Sequence, residues 1–333
     1  MKVLVTGGGG FLGAKICEQL RARGDIVFSV SRSFYPELDK LGVFQYQGDI
    51  AKLDVVREAI DGVDAVIHNA AKAGAGGAYE DYYNANVVGT NNVIEAMREQ
   101  CVPKLVYTST PSVTHRATNP VAGLSAQQVP YGENLKAAYA STKKIAEINA
   151  LAANDSTLAV TALRPRLIWG VGDNHLLPRL VERARAGKLR LIGRGDNLVD
   201  ATYVDNAAQA HLQALDALDF DSRNAGKAYF ISNGEPQTMK HMVNAMLQAA
   251  GAPPCNSSIP YPIAMAVAKA SEWAYNKFDL KGEPLLTQFL VEQMVTTHWY
   301  DMTPAREDFG YVPAVSFEEG VARMREFYLN HPL

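Results

Sequence analysis

The sequence predicts an α/β protein: a parallel sheet with helices on both faces, joined to a smaller, mostly helical C-terminal lobe. Three observations carry this. Short apolar, β-branched runs alternate with helical segments up to about residue 231. The first strand starts at the N-terminus and passes through four consecutive glycines into a helix. Beyond residue 236 the pattern changes to apolar and polar residues at the helical period. With 333 residues and 47% hydrophobic content, the chain can bury a large core.

Residues 1–6 read as a buried strand. The glycine run fits G-x-x-G-x-x-G at Gly7, Gly10 and Gly13, with Phe11 and Leu12 opening a helix that Gly24 ends. Strand, glycine turn and helix leave unpaired N–H groups where a dinucleotide's diphosphate is favoured. A flexible loop without a ligand is the alternative. A second strand, 26–30, ends at Ser31, Arg32 and Ser33. In a dinucleotide-binding sheet this end faces the adenosine ribose, where a carboxylate selects the free hydroxyl and an arginine accepts a phosphate. With Arg32 and Ser33 there and no carboxylate, the sequence favours NADP(H) over NAD; a plain surface arginine is the bland reading.

A third strand, 43–47, is followed by Asp49 and Ile50 at the cofactor edge. Asp49 is placed either to accept from the adenine amino group or to cap a helix over 52–60. A fourth strand, 63–68, leads to Asn69, Ala70 and Ala71, small enough to let a planar cofactor approach the backbone. A Gly/Ala-rich loop, 72–78, precedes a helix over 82–100 that carries Asn86. The fifth strand, 104–108, opens from Thr108 onto Ser109, Thr110 and Ser112. This order is that of a Rossmann-type sheet, whose right-handed crossovers bring the strand C-termini to one ligand-binding edge.

Residues 111–130 lack periodicity and read as a long loop that folds over a substrate. A helix from about 134 to 153 carries Tyr139 and Lys143, four apart and so on one face. Strand six, 158–163, ends at Arg164 and Pro165. A helix over 176–186, a short strand over 189–192 outside the main sheet, a segment 198–204 leading into a helix over 207–218, and a strand over 228–231 follow. Three helices, 239–250, 263–275 and 285–296, close the reading. The nucleotide-binding part is therefore 1–165 continued by 198–231, and the substrate lobe is 166–197 with 232–333. No linker separates them, so they are expected to fold as one joined body around a cleft beside strands four to six.

Net charge is −3 with no basic block, which argues against a nucleic-acid partner. Cys17, Cys101 and Cys255 have no metal-ligand spacing and fit a reducing, cytoplasmic setting, so no metal is expected. No secretory signal is read at the N-terminus, and the apolar run 259–268 holds two prolines and is too short to span a bilayer. It reads as an apolar cover over a substrate pocket, with peripheral membrane contact as the alternative.

Seven motifs occur in order: TGGGGFLG at 6–13, GDI at 48–50, HNAA at 68–71, NVVGT at 86–90, YTST at 107–110, YASTK at 139–143 and LRP at 163–165. Together they resemble the extended short-chain dehydrogenase/reductase family. Pro130-Tyr131-Gly132, Tyr203-Val204-Asp205-Asn206 and the tail at 305–311 and 316–320 resemble its 3β-hydroxysteroid dehydrogenase and sterol-4α-carboxylate dehydrogenase branch. Length and the glycine run resemble the bacterial 2-alkyl-3-oxoalkanoate reductases of long-chain olefin biosynthesis within that branch. The resemblance implies reduction of a bulky, hydrophobic β-keto acid with NADPH. It also implies a homodimer paired through helices 87–100 and 136–153, and partner enzymes of a lipid or olefin pathway.

Hydride transfer to a ketone requires a proton donor beside the carbonyl oxygen. A phenol near its ordinary pKa is poorly matched to neutral pH, and a lysine ammonium one turn away is expected to lower it. Tyr139 with Lys143 is read in that sense. By the resemblance, Lys143 also bonds the nicotinamide ribose, Pro165 approaches the nicotinamide, and Asn86 supports the site. The substrate-orienting hydroxyl falls on Thr110, with Ser109 and Ser112 as alternatives. Arg164 reads either as a scaffold residue or as a partner for an acidic substrate; Arg116, Lys136, Arg179 and Arg194 cannot be told from surface charges, and His115 and His175 are further polar contacts. Competing functions are a hydroxysteroid or sterol dehydrogenase using NAD(P), a nucleotide-sugar epimerase or dehydratase, and a non-catalytic NADP-binding protein.

Overall fold

The computed structural model describes residues 1–74, 76–278 and 286–333. In chain order the elements are β1 (Lys2–Thr6), α1 (Phe11–Ala22), β2 (Ile26–Ser31), α2 (Pro36–Lys40), β3 (Phe44–Gln47), α3 (Leu53–Ile60), β4 (Ala65–His68) and α4 (Tyr79–Tyr83). A π-helical turn (Asn84–Val88) joins α4 to α5 (Gly89–Glu99), followed by β5 (Lys104–Thr108), a 3-10 turn (Pro111–Thr114), β6 (Val121–Leu124), α6 (Ala138–Ala152) and β7 (Ala159–Pro165). Then come β8 (Ile168–Trp169), α7 (Leu176–Arg185), β9 (Leu191–Ile192), β10 (Leu198–Val199), β11 (Thr202–Tyr203), α8 (Val204–Ala217) and β12 (Ala228–Ile231). The chain finishes with β13 (Gln237–Thr238), α9 (Met239–Ala249), β14 (Ser258–Ile259), α10 (Tyr261–Phe278), α11 (Gln288–Val295), β15 (His298–Tyr300), α12 (Thr303–Phe309) and α13 (Phe317–Asn330).

Seven parallel strands form the main sheet in the order β12-β7-β5-β4-β1-β2-β3. The strand order reverses between β1 and β4, which opens a crevice at their carboxyl ends. β1, β4, β5 and β7 are near-continuous apolar runs because both faces are covered. Alternation then divides their side chains. Val3, Val5, Ile67, Val106 and Leu163 pack under α1 and α8, whereas Leu4, Val66, Leu105, Tyr107 and Val160 pack under α3, α5 and α6. The first of these cores runs on without a break through Trp169, Tyr203 and Tyr311 to Phe317 and Met324 of α13.

A second sheet, β13-β10-β15-β6, departs from the sequence reading. Residues 111–130 are not simply an irregular loop: after the 3-10 turn they supply β6, which pairs in parallel with β15. Several helices also have shifted ends. The one expected over 82–100 starts at Tyr79 and passes through the π-helical turn; the one expected from 134 starts at Ala138; and the one expected over 285–296 spans Gln288–Val295, residue 285 lying outside the described residues. The loop expected over 72–78 likewise includes residue 75, outside the described residues. The segment 198–204 divides into β10 and β11. α2, α12 and α13 were not anticipated, yet α13 carries a readable start: Ser316 Oγ accepts from Glu319 N–H at 3.1 Å, the S-x-x-E capping pattern.

The apolar run at 259–268 lies largely within α10. Ala264 and Ala268 pack on Ile192 of β9 and Val291 of α11, while Ile263, Val267 and Trp273 are exposed. No described helix is long and apolar enough to cross a membrane.

Candidate active site

The glycine turn fills the crevice between β1 and β4. Gly7 takes φ +70°, and a Cβ there would stand 2.9 Å from Ala70 Cα. A Cβ on Gly13 would run into the Gly7 carbonyl oxygen, so α1 can lie this close to the turn only with glycine at that position. Gly10 precedes α1 as its N-cap, and neither a capping side chain nor an acidic first-turn residue meets the free N–H groups. This donor-rich, side-chain-free cradle fits a dinucleotide diphosphate. Sequence reasoning passed over Gly8, which leaves no room beside Ser29 and Cys17, and Tyr35, whose ring lies against Gly9.

Arg32 and Ser33 are exposed beyond the end of β2. The Arg32 carbonyl accepts from Gln47 Nε2 at 3.1 Å, and no ion pair involves its guanidinium among the described residues. Asp49 is exposed and accepts from Ala51 N–H at 2.9 Å, while Lys52 takes the N-cap position of α3. Ile50 is buried against Gly89. Across the crevice, Thr6 Oγ1 accepts from Ala70 N–H at 3.0 Å and reaches His68 Nδ1 at 2.6 Å, and His68 Nε2 lies 2.9 Å from Thr90 Oγ1. Burial holds the His68 pKa down to about 3, so the ring is neutral and ties β1, β4 and α5 together. Asn69 and Ala71 flank Ala70 at this turn.

At the next strand end, Lys143 is only 2% exposed. Its Nζ donates to the Thr108 carbonyl at 2.7 Å and lies 4.2 Å from the centre of the Tyr107 ring. Desolvation lowers its pKa from 10.5 to about 7, with Glu147 working the other way. The Thr108 side chain turns away from this edge to His211 Nε2, 2.9 Å distant, so only the Thr108 carbonyl faces the lysine. Tyr139 is half-buried, and desolvation raises its phenol above the usual value, opposed by the nearby Thr110 hydroxyl. The expected lowering by Lys143 is not found: the ammonium is engaged with Thr108 and Tyr107, and burial dominates the phenol.

Thr110 is fixed from its own loop. Its Oγ1 accepts from Ser112 N–H and donates to Ser112 Oγ, both at 3.2 Å. Ser109, the alternative hydroxyl, is instead buried beside Glu147 without a well-formed hydrogen bond. Asn86 sits in the π-helical turn, a distortion common at functional sites. Its Oδ1 accepts from Lys72 N–H at 2.7 Å, and its Nδ2 donates to the Lys72 carbonyl at 3.1 Å and Thr142 Oγ1 at 3.0 Å. It thereby fastens the loop after β4 to the helix carrying Tyr139 and Lys143.

Arg164 is a scaffold residue. It forms a two-pronged, buried pair with Glu147, at 2.9 and 2.5 Å, which Tyr131 joins through a 2.7 Å bond to Glu147. Pro165, also buried, follows on β7 beside Ile231. Arg116, Lys136, Arg194 and His175 are exposed, whereas His115 bonds Glu292 and Gln293 of α11. No group of three or more potential metal ligands occurs among the described residues.

The family model described as the 3-beta hydroxysteroid dehydrogenase/isomerase family matches residues 4–262. The chain belongs to this family. It is similar to the 2-alkyl-3-oxoalkanoate reductase of Stenotrophomonas maltophilia, with 58% identity over 98% of both chains. It is also similar to human sterol-4-alpha-carboxylate 3-dehydrogenase, decarboxylating, with 33% identity over 96% of this chain and 86% of that one. The dehydrogenase and reductase names across the family make the chain an oxidoreductase. Among solved structures, MoeE5 in complex with UDP-glucose and NAD superimposes with a TM-score of 0.76 and 22% identity over 99% of both chains. That likeness confirms the Rossmann-type fold expected from the sequence.

One of the sequence motifs lies away from the crevice and has a structural role. Asn206 spends its whole amide on structure: Nδ2 donates to Asn233 Oδ1 and the Val315 carbonyl, and Oδ1 accepts from Ala314 and Val315 N–H. In this 3-beta hydroxysteroid dehydrogenase/isomerase relative, then, the Tyr203–Asn206 motif binds the C-terminal tail to α8. Sequence reasoning missed Arg166, directly after Pro165, which donates to Gln293 Oε1 at 2.7 Å.

Proposed function

We propose that this chain reduces a 2-alkyl-3-oxoalkanoate, a β-keto acid with two hydrocarbon chains, to the 2-alkyl-3-hydroxyalkanoate, using NADPH. The observations that support the assignment are the 58% identity to the Stenotrophomonas maltophilia reductase over 98% of both chains and the placing of Tyr139 and Lys143 one turn apart on α6. Reduction needs a donor that is still protonated when the alkoxide forms, and burial keeps the Tyr139 phenol in that state through neutral pH.

The bound nicotinamide cofactor supplies the hydride. Gly7, Gly10, Phe11, Leu12 and Gly13 are assigned to its diphosphate, Arg32 and Ser33 to a 2′-phosphate, and Asp49 and Ile50 to the adenine side. Asn69, Ala70, Ala71, Thr108, Lys143 and Pro165 are assigned to the nicotinamide half, Thr108 through its backbone. Tyr139 donates its phenolic proton to the substrate oxygen while the Thr110 hydroxyl turns from Ser112 Oγ to hold that oxygen and share its growing charge. Lys143 stabilises the phenolate left behind, since only one of its three N–H groups is taken by Thr108. Asn86 keeps the two helices in register. A homodimer through α5 and α6, cytoplasmic residence and transfer of the hydroxy acid to a lipid-pathway enzyme complete the proposal.

The test is NADPH consumption by the purified chain with a 2-alkyl-3-oxoalkanoate, run beside a 3-ketosteroid and repeated with NADH. Turnover of the branched keto acid with NADPH supports the assignment. Turnover of the steroid alone, above all with NADH, transfers it to the hydroxysteroid dehydrogenases, and turnover of a nucleotide sugar alone to the epimerases. Cofactor binding with no turnover of any of them makes the chain a non-catalytic NADP-binding protein.

A further inference from the structure

At the carboxyl edge of the main sheet, two arginines two positions apart each bury one unpartnered guanidinium nitrogen but differ in their countercharge. Arg164 is matched by the Glu147 carboxylate. Arg166 has no carboxylate within ion-pair distance among the described residues. Its Nη1 donates to Gln293 Oε1 at 2.7 Å, a neutral acceptor, while Nε is buried without any partner. A guanidinium charge left this way is costly unless something else arrives to meet it.

The surroundings hold the side chain in place without neutralising it. Gln293 Nε2 donates to His115 Nδ1 at 2.7 Å, which leaves the His115 proton on Nε2, 2.8 Å from Glu292 Oε2. The Glu292 carboxylate is thus spent on the histidine, Asp200 accepts from Ser232 Oγ, and a neutral amide faces the arginine. On the backbone side, Leu167 is held at φ +37°, a strained conformation for a branched side chain. Thr202 clamps it by donating from Oγ1 to the Arg166 carbonyl at 2.7 Å and from its N–H to the Leu167 carbonyl at 3.3 Å. Strain of this kind fixes where the residue before it points. His298, close by, is kept neutral by burial and by the Arg166 charge, its pKa held down to about 3, so it adds no second positive charge.

We propose that Arg166 is the carboxylate-binding residue of the substrate site, with Gln293 as its positioning residue. With Nη1 taken by Gln293, the Nε–Nη2 edge is the one left to grip a carboxylate at both oxygens, once the substrate's entry uncovers Nε. Arg166 follows Pro165 at the end of β7, which neighbours β5, the strand leading to Thr110. In a β-keto acid the carboxylate stands one carbon from the reacting carbonyl, so an anion site is needed at this edge. The proposal rests on the β-keto acid assignment above and specifies how such a substrate is recognised.

The test pairs binding with turnover. Dissociation constants are measured for a 2-alkyl-3-hydroxyalkanoate and for its methyl ester on NADP⁺-loaded protein, and kcat and KM for the corresponding keto acid and keto ester. The intact chain is expected to favour the acid by about 10²-fold, the scale of a lost charged hydrogen-bonding partner. Arg166→Gln is expected to abolish that preference by weakening the acid alone, Arg166→Lys to keep part of it, and Gln293→Leu to reduce it about fivefold through KM. Equal losses on acid and ester in Arg166→Gln, or no acid preference in the intact chain, would overturn the proposal. Acid-selective binding without turnover would uphold the anion site while refuting the reductase assignment; turnover of acid and ester alike would do the reverse.

Discussion

Replacing Lys143 by methionine is expected to stabilise the cofactor-free protein at pH 6 while abolishing turnover. The ammonium is 2% exposed, and its pKa falls from 10.5 to about 7 on folding. At about 1.4 kcal/mol per tenfold change in proton affinity, holding the charge inside costs roughly 5 kcal/mol below pH 7. Methionine removes that cost and keeps the apolar stem, but it loses the attraction to the Tyr107 ring and leaves the Thr108 carbonyl without its donor, together about 3 kcal/mol. The net gain is about 2 kcal/mol at pH 6. Between the folded value near 7 and the unfolded value of 10.5, the unfolded chain binds more protons, so the intact protein gains stability as pH rises. By pH 9 the remaining cost is roughly 2 kcal/mol, and the balance turns against the variant by about 1 kcal/mol. Urea denaturation of both proteins without cofactor, at pH 6 and pH 9, reads this directly. The difference in midpoint must change sign. A variant weaker at both values, or a difference independent of pH, would refute the desolvation account.

Glu147→Gln is expected to cost about 3–5 kcal/mol by leaving the Arg164 charge buried and unmatched. Over 333 residues at about 2.1 cal/mol/K each, that is a fall in Tm of roughly 4–7 °C. The paired replacement Glu147→Leu with Arg164→Met should recover most of it in the same melting experiment. Tyr139→Phe is expected to lower kcat by about 10²–10⁴-fold with little change in NADPH affinity, the range of a lost general acid, measured by steady-state kinetics beside a cofactor titration. Arg32→Asp should move the NADPH-to-NADH ratio of kcat/KM toward NADH by at least about tenfold, since it exchanges a phosphate partner for a group suited to a free hydroxyl.

The parts of the site set by local chemistry were legible in the sequence. A Cβ on Gly13 would strike a carbonyl six residues earlier, so a short motif encodes that contact. Tyr139 and Lys143 are one helical turn apart, which fixes their common face. Thr110 is held by Ser112, two residues on. What stayed hidden depends on distant partners. β6 and β15 are three or four residues long and lie far apart in the chain, so neither shows enough alternation to be seen alone. Arg166 meets Gln293 across a separation of 127 residues, and nothing near either one marks the pair. The Tyr139 pKa was misjudged for the same reason: burial raises it where Lys143 was expected to lower it. Spacing on a helix reveals which groups are neighbours, but desolvation depends on everything packed around them.

The charges of the site become intelligible when counted together. Lys143 is poised to lose its proton near neutrality, Tyr139 is held protonated, and Arg166 carries a charge no described carboxylate matches. A site built for stability alone would pair these groups as Arg164 is paired with Glu147, or replace them with apolar residues. Under the proposed function, an anionic cofactor and an anionic substrate would supply the missing negative charge, and each would gain from cations already fixed in place rather than gathered from water. The protein without ligands should therefore be markedly less stable than the loaded protein, and the gain from a hydroxy acid should exceed the gain from its ester. Melting temperatures for the free protein, the NADP⁺ complex and the two ternary complexes test this. Equal shifts from acid and ester would show that the unmatched charge at Arg166 is structural, with no part in drawing the substrate into the site.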